Sequence, residues 1–497
     1  MAGSLFDHLL DPAAASPSSP AVVDGDRALS RAELSRAAER LAGQLVGQGL
    51  APGDTLGCLM PNSIEMVVAV LAGIRLQARL LLLDPGLKPA EVAGICDRAS
   101  ARLLLVPPGA ASRSPADSGP PSLPVPTAEE LLAPGTPPGG RLSTGDGAAD
   151  RTSFLFLSSG STGMPKLVLC SADHLRNVIE LLSAPWPHGS GDRMGTVLPL
   201  FHVWGLRHML ATALRIGAPI HLLPAAPRQL AAAIARERIT ILPATPFIFR
   251  MLAETDFRAV PDFSSLRLPI SGGAPLTRDL VEKFRAKFGA DIHHLYGSTE
   301  VALALVADPS DWTPSGGWRW RASPGVTVKV VGPDGREVPA GTIGTLAVRS
   351  SACASAYLDD PVASAATFRD GMVITGDAGS SDADGRFTLL GREQPMLNIA
   401  GKKVAPAEIE ACLRLHPAVR EARVTGTKTS SGDDSIGALV ATQGPVTAQE
   451  LRDFCAARLA TFKVPRDIEF VAARTAGPLG KTHLDARTAG MPPFLPH

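Results

Sequence analysis

Residues 158 to 166 read Ser158-Ser159-Gly160-Ser161-Thr162-Gly163-Met164-Pro165-Lys166, a run of hydroxyl and glycine residues ending in a lysine. The apolar stretch Phe154 to Leu157 before it reads as a buried strand, so the glycines fall where a strand gives way to a turn. Such a turn suits phosphate. Gly160 and Gly163 open backbone conformations closed to other residues, while Ser158, Ser159, Ser161, Thr162 and successive amides can donate to anionic oxygens. Lys166 supplies positive charge. The loop is not a Walker A motif, because Pro165 stands where that motif requires glycine and no Ser or Thr follows Lys166.

A second segment, His294-Leu295-Tyr296-Gly297-Ser298-Thr299-Glu300, sets an aromatic ring, a glycine, two hydroxyls and a carboxylate side by side. That set serves nucleotide chemistry: a ring stacks on a base, a hydroxyl bonds a phosphate oxygen, and a carboxylate holds Mg²⁺, a hard cation that prefers oxygen ligands. Ile374-Thr375-Gly376-Asp377 places an aspartate after a turn glycine, where it can accept both hydroxyl protons of a ribose diol. Gly391-Arg392 and Gly480-Lys481 each put a cation beside a glycine; taken alone, such pairs suit a solvated turn equally well.

The elements that must position these residues follow from hydrophobic spacing. Leu34, Ala37, Ala38, Leu41 and Leu45 share one helical face, Ile64 to Leu76 forms a second helical pattern, and Leu103 to Val106 reads as a buried strand. This alternation predicts a layered α/β domain with a largely parallel sheet. From Pro107 to about Asp150 the chain is rich in Pro, Gly, Ser and Ala, and reads as a surface excursion with a short helix near Glu129 to Leu132 and too few apolar residues for a core. Further strands are expected at Thr196 to Leu198, Ile220 to Leu223, Ile239 to Leu242 and Leu266 to Ile270, with a helix from Gln229 to Arg238. Val326 to Arg349, with a turn at Gly332-Pro333-Asp334-Gly335, predicts a small barrel or distorted sheet. Beyond Gly391 a compact α+β module is expected, with helices at Ala407 to Leu415 and Ala448 to Leu459.

Composition narrows the classes of partner. The 497 residues exceed what one hydrophobic core organises, so two or more domains are expected. Lys and Arg total 48 and Asp and Glu total 48, a zero net charge that argues against nucleic acid or an anionic membrane as partner and leaves a small molecule. Cys58, Cys96, Cys170, Cys353, Cys412 and Cys455 have no metal-ligand spacing and read as reduced thiols. The most apolar window, Met66 to Leu83, is broken by Arg75, Gln77 and Arg79, so no membrane insertion and a cytoplasmic location are expected.

Taken in order, the motifs closely resemble those of the adenylate-forming superfamily of acyl-CoA synthetases, luciferases and adenylation domains. They are the 158 to 166 loop, Pro199-Leu200-Phe201-His202-Val203-Trp204-Gly205, Ser271-Gly272-Gly273-Ala274-Pro275, Tyr296 to Glu300, Thr375-Gly376-Asp377, Gly391-Arg392, Pro406-Ala407-Glu408-Ile409-Glu410 and Gly480-Lys481. The resemblance implies an N-terminal AMP-binding domain over residues 1–392, of layered α/β subdomains plus a small β-barrel, and a mobile C-terminal α+β lid over 393–497. It implies activation of a carboxylic acid by ATP to an acyl-adenylate with loss of pyrophosphate, followed by transfer to a nucleophile. On matching positions, Ser158 to Lys166 would hold the β- and γ-phosphates, Thr299 the α-phosphate and Glu300 the Mg²⁺. Asp377 and Arg392 would bind the ribose, Tyr296 with the Gly272-Gly273-Ala274 loop would flank the adenine, and Gly297 and Ser298 would belong to the same nucleotide site. Lys481 would bridge carboxylate and phosphate oxygens during adenylation, Gln394 would be the hinge, and Gly401 with Lys402 and Lys403 would face the incoming thiol.

Gln394 stands where the hinge is usually Asp or Lys, a change that backbone dihedrals tolerate, while Asn398 and Ala400 replace common basic residues and bear on the second step. Leu167 replaces a common glycine after Lys166. No carboxylate lies between Pro199 and Leu206, where amino-acid-activating relatives carry an aspartate for the α-ammonium, so His202 and Trp204 favour an aryl or acyl acid. Coenzyme A is the expected acceptor, with a carrier-protein phosphopantetheine or an amine as alternatives, and a catalytically silent nucleotide-binding relative as a different class.

Overall fold

The computed structural model describes residues 4–484 apart from 12–14, 111–118, 135–149, 159–164, 314–316, 393–396, 401, 405, 429–433, 472 and 476–481. Two compact units result. The larger contains the described residues up to Arg392 except Gly86–Glu91 and Pro165, and the smaller contains those and the described residues from Leu397 on.

Two large sheets organise the first unit. In one, six parallel strands run in the order His293–Tyr296, Leu268–Ser271, Ile241–Ala244, Met194–Thr196, Ile220–Leu222 and Pro20–Asp24, with antiparallel strands added at both edges. In the other, Ser153–Ser158, Arg79–Leu83, Thr55–Leu59, Ala101–Val106 and Ser122–Pro124 are parallel, and Lys166–Ser171 returns antiparallel beside Ser153–Ser158.

The helix Ile64–Arg75 explains the chain's most apolar window. Ser63 caps it by accepting the Met66 amide, and every residue from Ile64 to Ile74 is buried. It packs against Thr55–Leu59 and Arg79–Leu83 of one sheet and Pro20–Asp24 of the other, so it has no polar face to offer water. Each fully buried Val, Leu or Ile there contributes about 1.5–3 kcal/mol. Among the described residues no helix is long and apolar enough to cross a membrane.

The described part of the excursion after Pro107 packs onto the main body. Ser122–Pro124 joins the edge of the second sheet beside Ala101–Val106, the helix Ala128–Leu132 carries a reciprocal Thr127/Glu130 cap, and Val125, Ala128 and Leu131 enter the main core. Few apolar residues suffice because they complete a core built by others. The expected small β body is a path of five strands, Thr327–Val331, Gly344–Arg349, Met372–Ser381 and Phe368–Arg369, with Phe387–Arg392 pairing to Met372–Ser381.

The second unit has its own core. Helices Pro406–Arg414 and Ala448–Ala456 accompany a sheet of Val419–Lys428, Asp434–Thr442 and Asp467–Phe470, with Ile409, Leu413, Val440 and Leu451 fully buried. Within it Lys463, 6% exposed, donates to Glu408 at 2.6 Å and to Glu91 at 3.0 Å.

Candidate active site

Parallel strands aim their carboxyl ends the same way, and the candidate residues follow those ends: Asp84 after Arg79–Leu83, Ser158 closing Ser153–Ser158, Gly272 after Leu268–Ser271 and Gly297 after His293–Tyr296. A separate open hollow of about 510 Å³, lined by Arg193, Arg236, Glu237, Arg238 and Thr240, lies before the amino ends of Met194–Thr196 and Ile241–Ala244, away from these residues.

Ser158 pairs in register with Lys166, so the expected phosphate loop spans the end of an antiparallel hairpin. Ser159, Gly160, Ser161, Thr162 and Gly163 lie outside the described residues, as do Gln394, Gly401 and Lys481. The Lys166 ammonium sits 4.6 Å from the centre of the Tyr357 ring. Tyr357 in turn donates its hydroxyl to Glu300 Oε1 at 3.0 Å, and Ser298 donates to Glu300 Oε2 at 2.8 Å. Lysine, tyrosine, glutamate and serine thus form one chain. Nothing in the residue pattern around Tyr357 marks it; the only signal was rarity, since the chain has 2 tyrosines.

The other tyrosine does the parallel thing. Tyr296 donates to Asp377 Oδ2 at 2.6 Å, so the expected base-flanking ring and ribose-binding carboxylate are neighbours although 81 positions apart in the chain. Thr375 holds Asp377 by accepting its amide at 3.1 Å while donating to the Leu346 carbonyl at 2.9 Å, and Gly376 takes the positive φ of 71° that this bend requires. Asp377 faces Arg392 across the Met372–Ser381 and Phe387–Arg392 pair.

Gly297 is fixed by space. A Cβ there would lie 1.9 Å from the Ala302 carbonyl oxygen, because the chain folds back with the Ala302 amide donating to the Ser298 carbonyl at 2.9 Å. Gly272 answers to Trp204: a Cβ would meet the indole Cη2 at 3.0 Å and Leu295 Cδ1 at 2.7 Å. The Gly272-Gly273 turn therefore lies against the Trp204 ring, with Gly273 at φ 77°.

Trp204 opens a π-helix, Trp204–Ala211, a wide turn that the sequence did not announce and that recurs at functional sites. His202, just before it, accepts the Trp204 amide on Nδ1 at 3.3 Å, which leaves the proton of the neutral ring on Nε2. The residue is set deep in the molecule yet keeps an exposed face, which places it on the wall of a recess and not in the core. Loss of solvation first, then the Arg207 charge, lowers its pKa to about 4, with Asp84 opposing. Water at the exposed face limits that shift, and the ring is neutral at pH 7 in either case.

A single carboxylate with hard oxygens, Glu300, stands beside the hairpin, and among the described residues no group of three or more His, Cys, Asp or Glu is placed to hold a metal unaided. That donor set fits a Mg²⁺ that takes most of its oxygens from phosphate and water. Of the residues expected to face the thiol, Lys402 in the second unit has its ammonium 4.3 Å from the centre of the Phe462 ring, and Lys403 pairs with Asn398 through the backbone.

Comparison with known proteins follows the same lines. A family described as AMP-binding enzyme matches residues 10–358, and its C-terminal domain matches 408–481. The indoleacetate–CoA ligase of Aromatoleum aromaticum is 31% identical over 493 residues, covering 94% of each chain. The o-succinylbenzoate CoA synthetase of Bacillus subtilis, a double mutant bound with its product analogue, superposes with TM-score 0.85 at 25% identity over 96% of this chain and 97% of that one. The amide bond synthetase McbA of Marinactinospora thermotolerans does so with TM-score 0.82 at 26% identity over 97% and 98%. The chain belongs to the AMP-binding enzymes of the adenylate-forming superfamily, and is an ATP-dependent, AMP-forming ligase of carboxylic acids of the acyl- and aryl-CoA synthetase kind.

Proposed function

We propose that the enzyme activates an aryl or acyl acid lacking an α-ammonium group and passes the acyl group to the thiol of coenzyme A. The observation that carries the choice of acid is the Trp204 ring lying against Gly272-Gly273 beside a neutral His202, with no carboxylate between Pro199 and Leu206 to match an ammonium. Burying an unmatched ammonium there is unfavourable; a flat apolar acid meets an indole face.

In this reading Tyr296 and Asp377 serve the nucleoside, joined by Arg392, and Thr299 the α-phosphate. Ser158 to Lys166 serve the outer phosphates. Glu300 would hold Mg²⁺, which offsets phosphate charge as the carboxylate attacks. The Tyr357 and Ser298 hydroxyls orient Glu300. Lys481 supplies positive charge where the pentavalent oxygens develop. Lys481→Ala should abolish acid-dependent pyrophosphate release while AMP binding by calorimetry changes little; an unimpaired adenylation rate would refute its role.

Asn398 and Ala400, where basic residues are common, together with the likeness to an amide bond synthetase, support a second reading in which an amine takes the acyl group. A carrier-protein phosphopantetheine would use the same first step. ATP–pyrophosphate exchange over a panel of aryl, acyl and α-amino acids, followed by coenzyme A or amines with mass detection of the product, tests these readings. Exchange supported only by α-amino acids would overturn the assignment of the acid, and amide without thioester would favour the second reading.

A further inference from the structure

Arg207 is the largest side chain among those wholly withdrawn from solvent, 1% exposed, and among the described residues it forms no ion pair. Its guanidinium lies 4.7 Å from the centre of the Phe156 ring and donates through one nitrogen to the Cys170 sulfur and through the other to the Thr299 carbonyl at 3.3 Å. A buried cation without a paired anion is unfavourable, and an apolar side chain of similar volume would suit the surrounding Phe156 and Cys170 better. Burial pushes the guanidinium below its usual range, and the Cys170 and Glu300 side chains oppose that shift.

The position of the one oxygen it grips matters. The Thr299 carbonyl joins Thr299 to Glu300, the pair placed at the α-phosphate and the metal. The strip near residue 354 restrains Glu300 from one side, through the Ala354 amide on the Glu300 carbonyl at 2.7 Å and the Tyr357 hydroxyl on its carboxylate. Arg207 holds the same turn from the π-helix that begins with Trp204, the pocket tryptophan. We infer that Arg207 is a positioning residue that ties the Thr299-Glu300 turn to the acid-pocket helix, setting the α-phosphate and metal ligands in register with the bound acid and placing a fixed positive charge behind them. This rests on Thr299 and Glu300 having the roles proposed above.

Arg207→Met and Arg207→Lys test it in acid-dependent ATP–pyrophosphate exchange, normalised to active sites by a pyrophosphate burst. Arg207→Met should lower kcat about 10-fold to 100-fold, raise the Mg²⁺ concentration for half-maximal rate several-fold, and leave KM for the acid within about 2-fold, since the lost interaction orients groups used in the transition state. Arg207→Lys, which keeps the charge but not the fork, should fall between. A purely structural role would reduce the active fraction without moving the Mg²⁺ dependence. Wild-type kcat per active site and wild-type Mg²⁺ dependence in Arg207→Met would overturn the inference. Should that variant fail to fold, Arg207→Lys decides by the same two readouts. Thr299→Ala separates the levels: if it exchanges normally, the assignment of the turn fails, whereas loss in Thr299→Ala with none at Arg207 refutes only the positioning role.

Discussion

Both tyrosines of the chain donate a hydroxyl to a carboxylate of the site, Tyr296 to Asp377 and Tyr357 to Glu300. The first was legible because Tyr296 lies in a contiguous motif; Tyr357 was not, because the residue it serves is 57 positions away and its own neighbours carry no chemistry. Arg207 escaped for the same reason, its partners at 156, 170 and 299 meeting only after folding. Tyr357→Phe keeps the ring beneath Lys166 and removes one hydrogen bond to a charged group, a loss of about 1.5–3 kcal/mol at most and so a fall of roughly 10-fold to 100-fold in adenylation rate. Glu300→Gln should act more strongly and raise the Mg²⁺ requirement. If the two share one function, the double variant falls short of the product of the singles; full additivity in that cycle would show that the tyrosine does not work through the glutamate.

At the level of elements, glycines record where chain segments cross. Gly205, the second residue of the π-helix, has a Cβ position 2.1 Å from the Pro199 carbonyl oxygen, and Gly297 sits under Ala302. Gly297→Ala must push the Ala302 carbonyl aside, which should destabilise the protein by about 1–3 kcal/mol or more and displace Ser298 and Glu300 with it. Thermal unfolding together with exchange activity checks this; a variant with unchanged midpoint and activity would show that the turn yields freely. Helix and strand positions were largely readable from spacing, as in Arg31–Gly47 and Ile64–Arg75. The π-helix was not, since its pattern of apolar residues is that of any buried helix. In the segment after Pro107 the short helix was readable, but the pairing of Ser122–Pro124 at a sheet edge was not, because an edge strand needs only a few apolar residues when the core already exists.

On the scale of the whole molecule, buried histidines tie stability to pH. Desolvation lowers His208 and His294 from 6.5 to about 3, and His221 to about 4. The unfolded chain takes up these protons from pH 6.5 downward while the folded chain does not, so stability is lost as pH falls from 6.5 toward 4, by about 1.4 kcal/mol per pH unit for each fully buried histidine. Melting temperature should drop steadily between pH 7 and 5 at constant ionic strength, and a flat profile would contradict neutral burial. The residues proposed to bind nucleotide are clustered in short motifs, and local chemistry therefore let the sequence alone determine the family, the adenylation reaction and the class of fold. What only the tertiary structure decided is which groups orient those motifs: Tyr357 behind Glu300, Arg207 behind Thr299, Trp204 against Gly272. Such contacts join segments far apart in the chain, and their pairing depends on how sheets and helices pack, which spacing along one strand or helix does not encode.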